Sequence, residues 1–209
     1  MSPVVGHARL ELMDWKRRVL AMYARARDGG ADPAACARFR EERDALTREH
    51  PQSPLTAVAR EEFAGVPWFP HRPELRFEAI LERDDAGVTL ELPMSTGASA
   101  LFTLIGRVRP VIDGVGASLA VYWLEGYGGG LFLPFRDAHE ETYGGGRYLL
   151  DTVKGADLGA TADARLVIDF NYAYNPSCSY DPAWSCPLAP PENRIDVPVA
   201  AGERMRAWY

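Results

Sequence analysis

The sequence predicts an α+β protein, with N-terminal helices followed by an antiparallel β-barrel or sandwich. Three observations carry this. Apolar residues recur every three to four positions through the first third of the chain. From Leu75 onward they alternate with polar residues instead. Glycine-rich turns then separate many short apolar runs, which is the pattern of antiparallel architectures. Residues 1–73 read as a helical segment that packs on a β domain of residues 74–209, the two forming one compact unit.

The elements follow in order. Leu12, Trp15, Val19 and Met22 share one side of a helix expected over 7–27, and Gly29-Gly30 ends it. Asp32-Pro33 reads as an N-cap followed by proline at the first helical position. That second helix places Cys36, Phe39, Arg43 and Leu46 along one side and leaves Arg40, Glu41, Glu42 and Asp44 exposed. His50-Pro51 stops it near Glu49, because a residue before proline avoids the helical region. Ser53-Pro54 opens a short third helix that reaches about Phe63, and a loop with three prolines spans 65–75. Strands are then expected over 75–81, 88–92, 100–108, 118–123, 130–134, 148–153, 164–171 and 194–199. Turns fall at Asp84 to Gly87, Asp113-Gly114, Gly126 to Gly129, Gly144 to Gly146 and Gly155 to Gly159.

A chain of 209 residues buries enough surface to stand without disulfides or metal. A net charge of −6 gives no electrostatic footprint for nucleic acid and disfavours an anionic membrane surface. No apolar stretch is long enough to span a bilayer. The first residues lack a signal-peptide pattern, so the expected location is cytoplasmic and Cys36, Cys178 and Cys186 are expected to be mainly reduced. Histidines 7, 50, 71 and 139 are dispersed, and His50 and His71 are expected to face solvent. Homo-oligomers are compatible with all of this, and no motif names a cofactor.

The chemistry concentrates in one stretch, FNYAYNPSCSYDPAWSCPLAPPENR, residues 170–194. Its five prolines restrict the backbone, and Tyr174, Tyr180 and Trp184 can bury area while keeping polar tips. TyrGlyGlyGly occurs at 127–130 and again at 143–146, either as tight turns or as backbone approaching an anion. Arg147 and Arg194 follow rigid segments and suit a carboxylate or phosphate, unless each pairs with a native acid such as Glu141, Asp169 or Glu192. Cys178 and Cys186 are too far apart in sequence for a CxxC motif. Buried gap-filling thiols, a Cys178–Cys186 bridge, and a metal site completed by a histidine all remain readings of them. Asp151, Lys154 and Asp157 form either an acid–base pair tuned by burial or a solvated turn.

These residues resemble the bacterial and archaeal domain-of-unknown-function family 1684. The likeness rests on ETYGGGRYLLD (141–151), LVIDFNYAYNPSCSYDPAWSCPLAPPENR (166–194) and VPVAAGE (197–203), with SPL (53–55) and FAGVPWFP (63–70) upstream. The resemblance implies a soluble protein with helices ahead of a β domain and carries over no reaction. The matching positions become ligand-site candidates. Glu141, Tyr143 and Arg147 lie around the glycine turn. Asp169, Asn171 and Asn175 end the strand. Tyr180, Trp184, Glu192, Asn193 and Arg194 occupy the loop. Three readings follow: a small-molecule site for an anionic group, an internal polar network in a structural or interaction protein, and thiol or metal chemistry at Cys178 and Cys186.

Overall fold

The computed structural model describes residues 3–83 and 87–205. Helix α1, Pro3–Gly29, buries Val19, Met22, Tyr23 and Ala26. Leu12, placed on that stripe by spacing, is 41% exposed, so the buried face begins further along the helix. Helix α2, Pro33–Glu49, is capped by the Asp32 side chain, which accepts from the Ala34 amide. Three residues assigned to its exposed face, Arg40, Glu42 and Asp44, are partly buried instead. Arg40 donates to the Phe69 carbonyl, and Asp44 accepts from the Val66 amide at 2.9 Å. Both are drawn in because the 63–69 loop folds over this side of α2. Helix α3 is short, Ala57–Glu61, and Thr56 caps it rather than Ser53. His50, expected at the surface, is 5% exposed. Its Nε2 lies 3.2 Å from Asp14 Oδ2 and its ring meets the edge of Trp15, because α1 packs over the end of α2.

Among the described residues nine strands follow: β1 (Arg76–Ala79), β2 (Thr89–Pro93), β3 (Ser99–Val108), β4 (Val111–Ile112), β5 (Val115–Gly116), β6 (Leu119–Leu124), β7 (Gly130–Phe135), β8 (Arg147–Asp151) and β9 (Leu166–Asp169). Five form one antiparallel sheet in the order β2-β3-β6-β7-β8. β1 pairs with β9, and β4 with β5, also antiparallel. Single bridges, Glu82 to Arg107 and Tyr148 to Tyr174, tie the neighbourhood of the β1–β9 pair to β3 and β8. The ladders themselves leave β2 and β8 as the edges of the large sheet. The expected turn at Asp84 to Gly87 lies outside the described residues except for Gly87.

Four strand expectations change. β1 stops at Ala79, short of residue 81, and β9 covers only Leu166–Asp169 of the expected 164–171 before a 3-10 turn, Phe170–Tyr172. β8 ends at Asp151 and passes into a 3-10 turn, Thr152–Lys154. Residues 194–199 form no ladder and make only one parallel bridge, Arg136 to Arg194. Their burial still alternates, with Ile195, Val197 and Val199 inside. An extended segment laid on a core reproduces the period of two without pairing, and Pro198 offers no amide to a ladder. The β4–β5 hairpin had no strand expectation, but its turn did. Asp113 and Gly114 both take positive φ, 50° and 80°, as a two-residue hairpin loop requires.

The core has layers. One cluster lies between the large sheet and the β1–β9 pair, with Val121, Leu133, Leu149, Ile168 and Phe170. A second joins the helices to the outer side of β9 through Val19, Met22, Phe39, Val167 and Tyr172. β9 is therefore buried on both faces, which explains why its sequence is a near-continuous apolar run. A third cluster, Leu92, Phe102, Tyr122, Phe132 and Tyr148, covers the other face of the large sheet. Among the described residues, no helix is long and apolar enough to cross a membrane.

Candidate functional site

Arg147 opens β8 directly after the glycine turn and is fully buried. Its Nη2 donates to Asp137 Oδ2 at 2.8 Å and to the Val199 carbonyl at 3.0 Å. Its Nη1 donates to the carbonyls of Ala201 and Glu203. Burial pulls its pKa down, against the opposing pull of Asp137. The glycines bring this about sterically. At Gly146 (φ 96°) a Cβ would lie 2.6 Å from Ala189 Cβ and 2.8 Å from the Phe135 carbonyl oxygen. The second TyrGlyGlyGly is thus a turn tucked under the 188–189 segment.

The other motif residues end on protein groups too. Asp169 accepts from the Asn171 amide and side chain, both at 2.9 Å, and from Arg76 at 3.2 Å. Asn171 in turn holds the backbone N–H and C=O of Arg72, each at 2.7 Å. Asn193 clamps two strands. It accepts from the Ala120 amide and donates to the carbonyls of Ala120 and Pro134. Glu192 accepts from the Tyr122 hydroxyl at 2.8 Å, and Glu141 pairs with Arg204. Arg194 and Trp184 are exposed; Trp184 contributes its carbonyl to Ser95 Oγ at 2.9 Å. Asn175 and Tyr180 meet at Glu203, which is itself fully buried. Glu203 Oε2 accepts from the Asn175 amide at 2.8 Å and the Tyr180 hydroxyl at 2.9 Å, and Oε1 accepts from Arg43. The candidates thus occupy several separate networks and do not converge on one cavity.

A cavity of about 250 Å³ lies elsewhere, against the β2–β3–β6–β7–β8 sheet. Met94, Ala100, Phe102, Leu124, Leu131 and Phe132 make its apolar walls, and Ser185 and Pro187 form its rim. Asp151 and Lys154 stand at its polar end, with Lys154 Nζ 3.3 Å from Asp151 Oδ2. Tyr174 also donates to that oxygen at 3.3 Å. Burial would lower the Lys154 pKa, but the Asp151 carboxylate outweighs it and raises the value. The ammonium is held charged at the end of a half-exposed side chain, with hydrogen-bond donors to spare. Gly130 permits the close approach. A Cβ there would lie 2.5 Å from Thr152 Oγ1, blocking the turn that carries Lys154. Lys154 also borders a smaller cavity of mixed lining toward the helices, with Tyr23, Asn175 and Tyr180 among its walls. No group of three or more His, Cys, Asp or Glu side chains among the described residues could hold a metal ion.

The family model described as a protein of unknown function, DUF1684, matches residues 61–204. The chain belongs to the DUF1684 family. The solution NMR structure of an uncharacterised protein of Haloarcula marismortui is similar, with a TM-score of 0.57 and 31% identity. The match covers 80% of this chain and 91% of that one. The comparison with curated proteins gave no match.

Sequence reasoning about this DUF1684 chain missed Asp137 and Glu203 as partners. Asp137 carried no signal beyond its place shortly before the glycine turn. Glu203 had one, since it closes the VPVAAGE piece of the family motif. Arg43 sat on the apolar side of α2, a position that asks for a buried acid.

Proposed function

We propose that this DUF1684 protein binds a small molecule in the cavity walled by Phe102, Leu124, Leu131 and Phe132, with a carboxylate or similar acceptor on Lys154. The single observation that supports this reading is the meeting of an apolar enclosure with one charged ammonium, on a half-exposed side chain, at its end. Ligand sites commonly combine apolar walls with few polar groups. The volume suits a ligand no larger than a fused ring pair. In this reading the cytoplasmic β region is a partly closed barrel, and the motif residues brace it.

The test is an NMR titration of the native protein with 2-naphthoate. Shifts are expected at the amides of Phe102, Leu131 and Phe132. Ala100→Trp, which fills the cavity, should remove them, and Lys154→Met should weaken binding about tenfold, roughly 1.4 kcal/mol. An unchanged native spectrum, or equal shifts in the filled variant, would sink the proposal.

A second reading, a non-catalytic structural or interaction protein, is favoured by a different observation. Asp169, Asn171 and Asn193 satisfy their polar groups internally, and so do the two Nη atoms of Arg147. An absence of naphthoate binding would leave that reading in place.

A further inference from the structure

Cys178 and Cys186 lie at the two ends of the loop that rims the cavity. Cys178 sits in a 3-10 turn, Ser177–Ser179, and Cys186 in the extended chain beside Ser95. Both are buried, at 3% and 2% exposure, and neither is in a disulfide. Their side chains interact directly. Tyr143 places its hydroxyl 3.6 Å from the Cys178 sulfur. Ser95 Oγ accepts from the Cys186 amide at 3.0 Å and also reaches Cys178. Lys154 adds a positive charge near both sulfurs. The chain neighbours of both cysteines line cavities. Ser177 lines the smaller cavity, and Ser185 and Pro187 line the apolar one.

We infer that Cys178 and Cys186 form a reversible dithiol that a small peroxide oxidises, with Cys178 the attacking thiolate and Cys186 the resolving thiol. In the first step the Cys178 thiolate attacks one oxygen of hydrogen peroxide. The O–O bond breaks and hydroxide leaves, taking a proton to become water, and Cys178 becomes a sulfenic acid. In the second step the Cys186 sulfur attacks the sulfenic sulfur. The S–O bond breaks, the oxygen leaves with the Cys186 proton as a second water, and the disulfide forms. Two thiols and one peroxide give one disulfide and two waters, and an external dithiol reverses the change.

The surroundings favour this division of labour. The Cys186 thiol, followed by Tyr143 and Ser95, donates toward Cys178 and brings its pKa from 9.0 to about 6 against the opposing effect of burial. The same contact, with burial, pushes Cys186 far up. The thiolate is therefore favoured at Cys178 over Cys186, and the Tyr143 hydroxyl beside the Cys178 sulfur can donate to it. Lys154, Asp151, Tyr143 and Tyr148 are the other titratable groups facing the pair. Cys36 serves as an internal control, since burial raises its pKa within the helical layer.

The experiment treats the fully reduced native protein with one equivalent of hydrogen peroxide and measures its intact mass without reductant. A loss of two hydrogens is expected, with a peptide linking Cys178 to Cys186 and full recovery after dithiothreitol. Cys36→Ser should behave identically. In Cys186→Ser, dimedone should trap a sulfenic acid on Cys178. The rate of the first step should be flat above about pH 6 and fall tenfold per unit below it. Oxidation of Cys36 as fast as Cys178, or oxygen added without a link, would overturn the inference. The mass shift of the unmodified chain is decisive even if a cysteine variant folds poorly. The outcome is independent of naphthoate binding, so either proposal can fail alone.

Discussion

At the scale of single residues, Arg147 shows what a sequence conceals. Its place after three glycines suits an anion, and the residue that takes its charge is Asp137, ten positions earlier across the β7–β8 connection. Only the fold of that connection brings the two together. Because both charges are buried, removing one strands the other. Arg147→Ala is expected to lower stability by roughly 3–5 kcal/mol in urea denaturation. Paired replacement, Arg147→Met with Asp137→Leu, should recover most of it. Loss of naphthoate binding with unchanged stability in Arg147→Ala would instead return this residue to a ligand role. Asp169 and Asn171 were legible as a polar pair at a strand end, but the partner of Asn171, the backbone of Arg72, comes from a loop 99 positions away.

At the scale of elements, periodicity did most of the work. The second helix was legible to its first residue, because Asp32-Pro33 is a local signal that tertiary contacts do not override. β2, β3, β6 and β7 fall within a residue or two of where alternation put them, whereas the β4–β5 hairpin was foreseen only as a turn. The 194–199 segment did not become a strand, because alternation reports burial on one side and says nothing about a neighbouring strand's amides. What fastens this segment is Asn193, whose side chain replaces ladder bonds on β6 and β7. Asn193→Ala leaves the Ala120 amide buried without its acceptor, at a cost of about 1–3 kcal/mol for that group. Hydrogen exchange should then quicken at Ala120 well before it does at Val121. Equal exchange at Ala120 in both proteins would show that the clamp is dispensable.

At the scale of the whole molecule, the helices-then-strands order was legible from the change of period near residue 74. The candidate site was not, because the cavity draws on β2 to β8 and the loop at 185–187, which no local pattern joins. Of its polar end, only the closeness of Asp151 and Lys154 was readable. The family match begins at residue 61, after α1 and α2. Yet those helices cover Val167 on β9 and Tyr172 in the turn that follows it, and supply Arg43 to Glu203. A chain starting at Thr56 is therefore expected to lose its cooperative thermal transition and to bind a hydrophobic dye. An unchanged sharp transition would mark the helices as an accessory layer.

Glu203 has a consequence for when this protein can become itself. Its carboxylate gathers Arg43, Asn175 and Tyr180, and the backbone around it receives Arg147. The separation from Arg43 to Glu203 is 160 residues. During synthesis, the early helices and most strands emerge while their shared acid is still inside the ribosome. Two buried arginines then wait in water-exposed, unfinished surroundings, and contacts this distant in sequence form slowly. The nascent chain can collapse early, but it locks only once residue 203 is free.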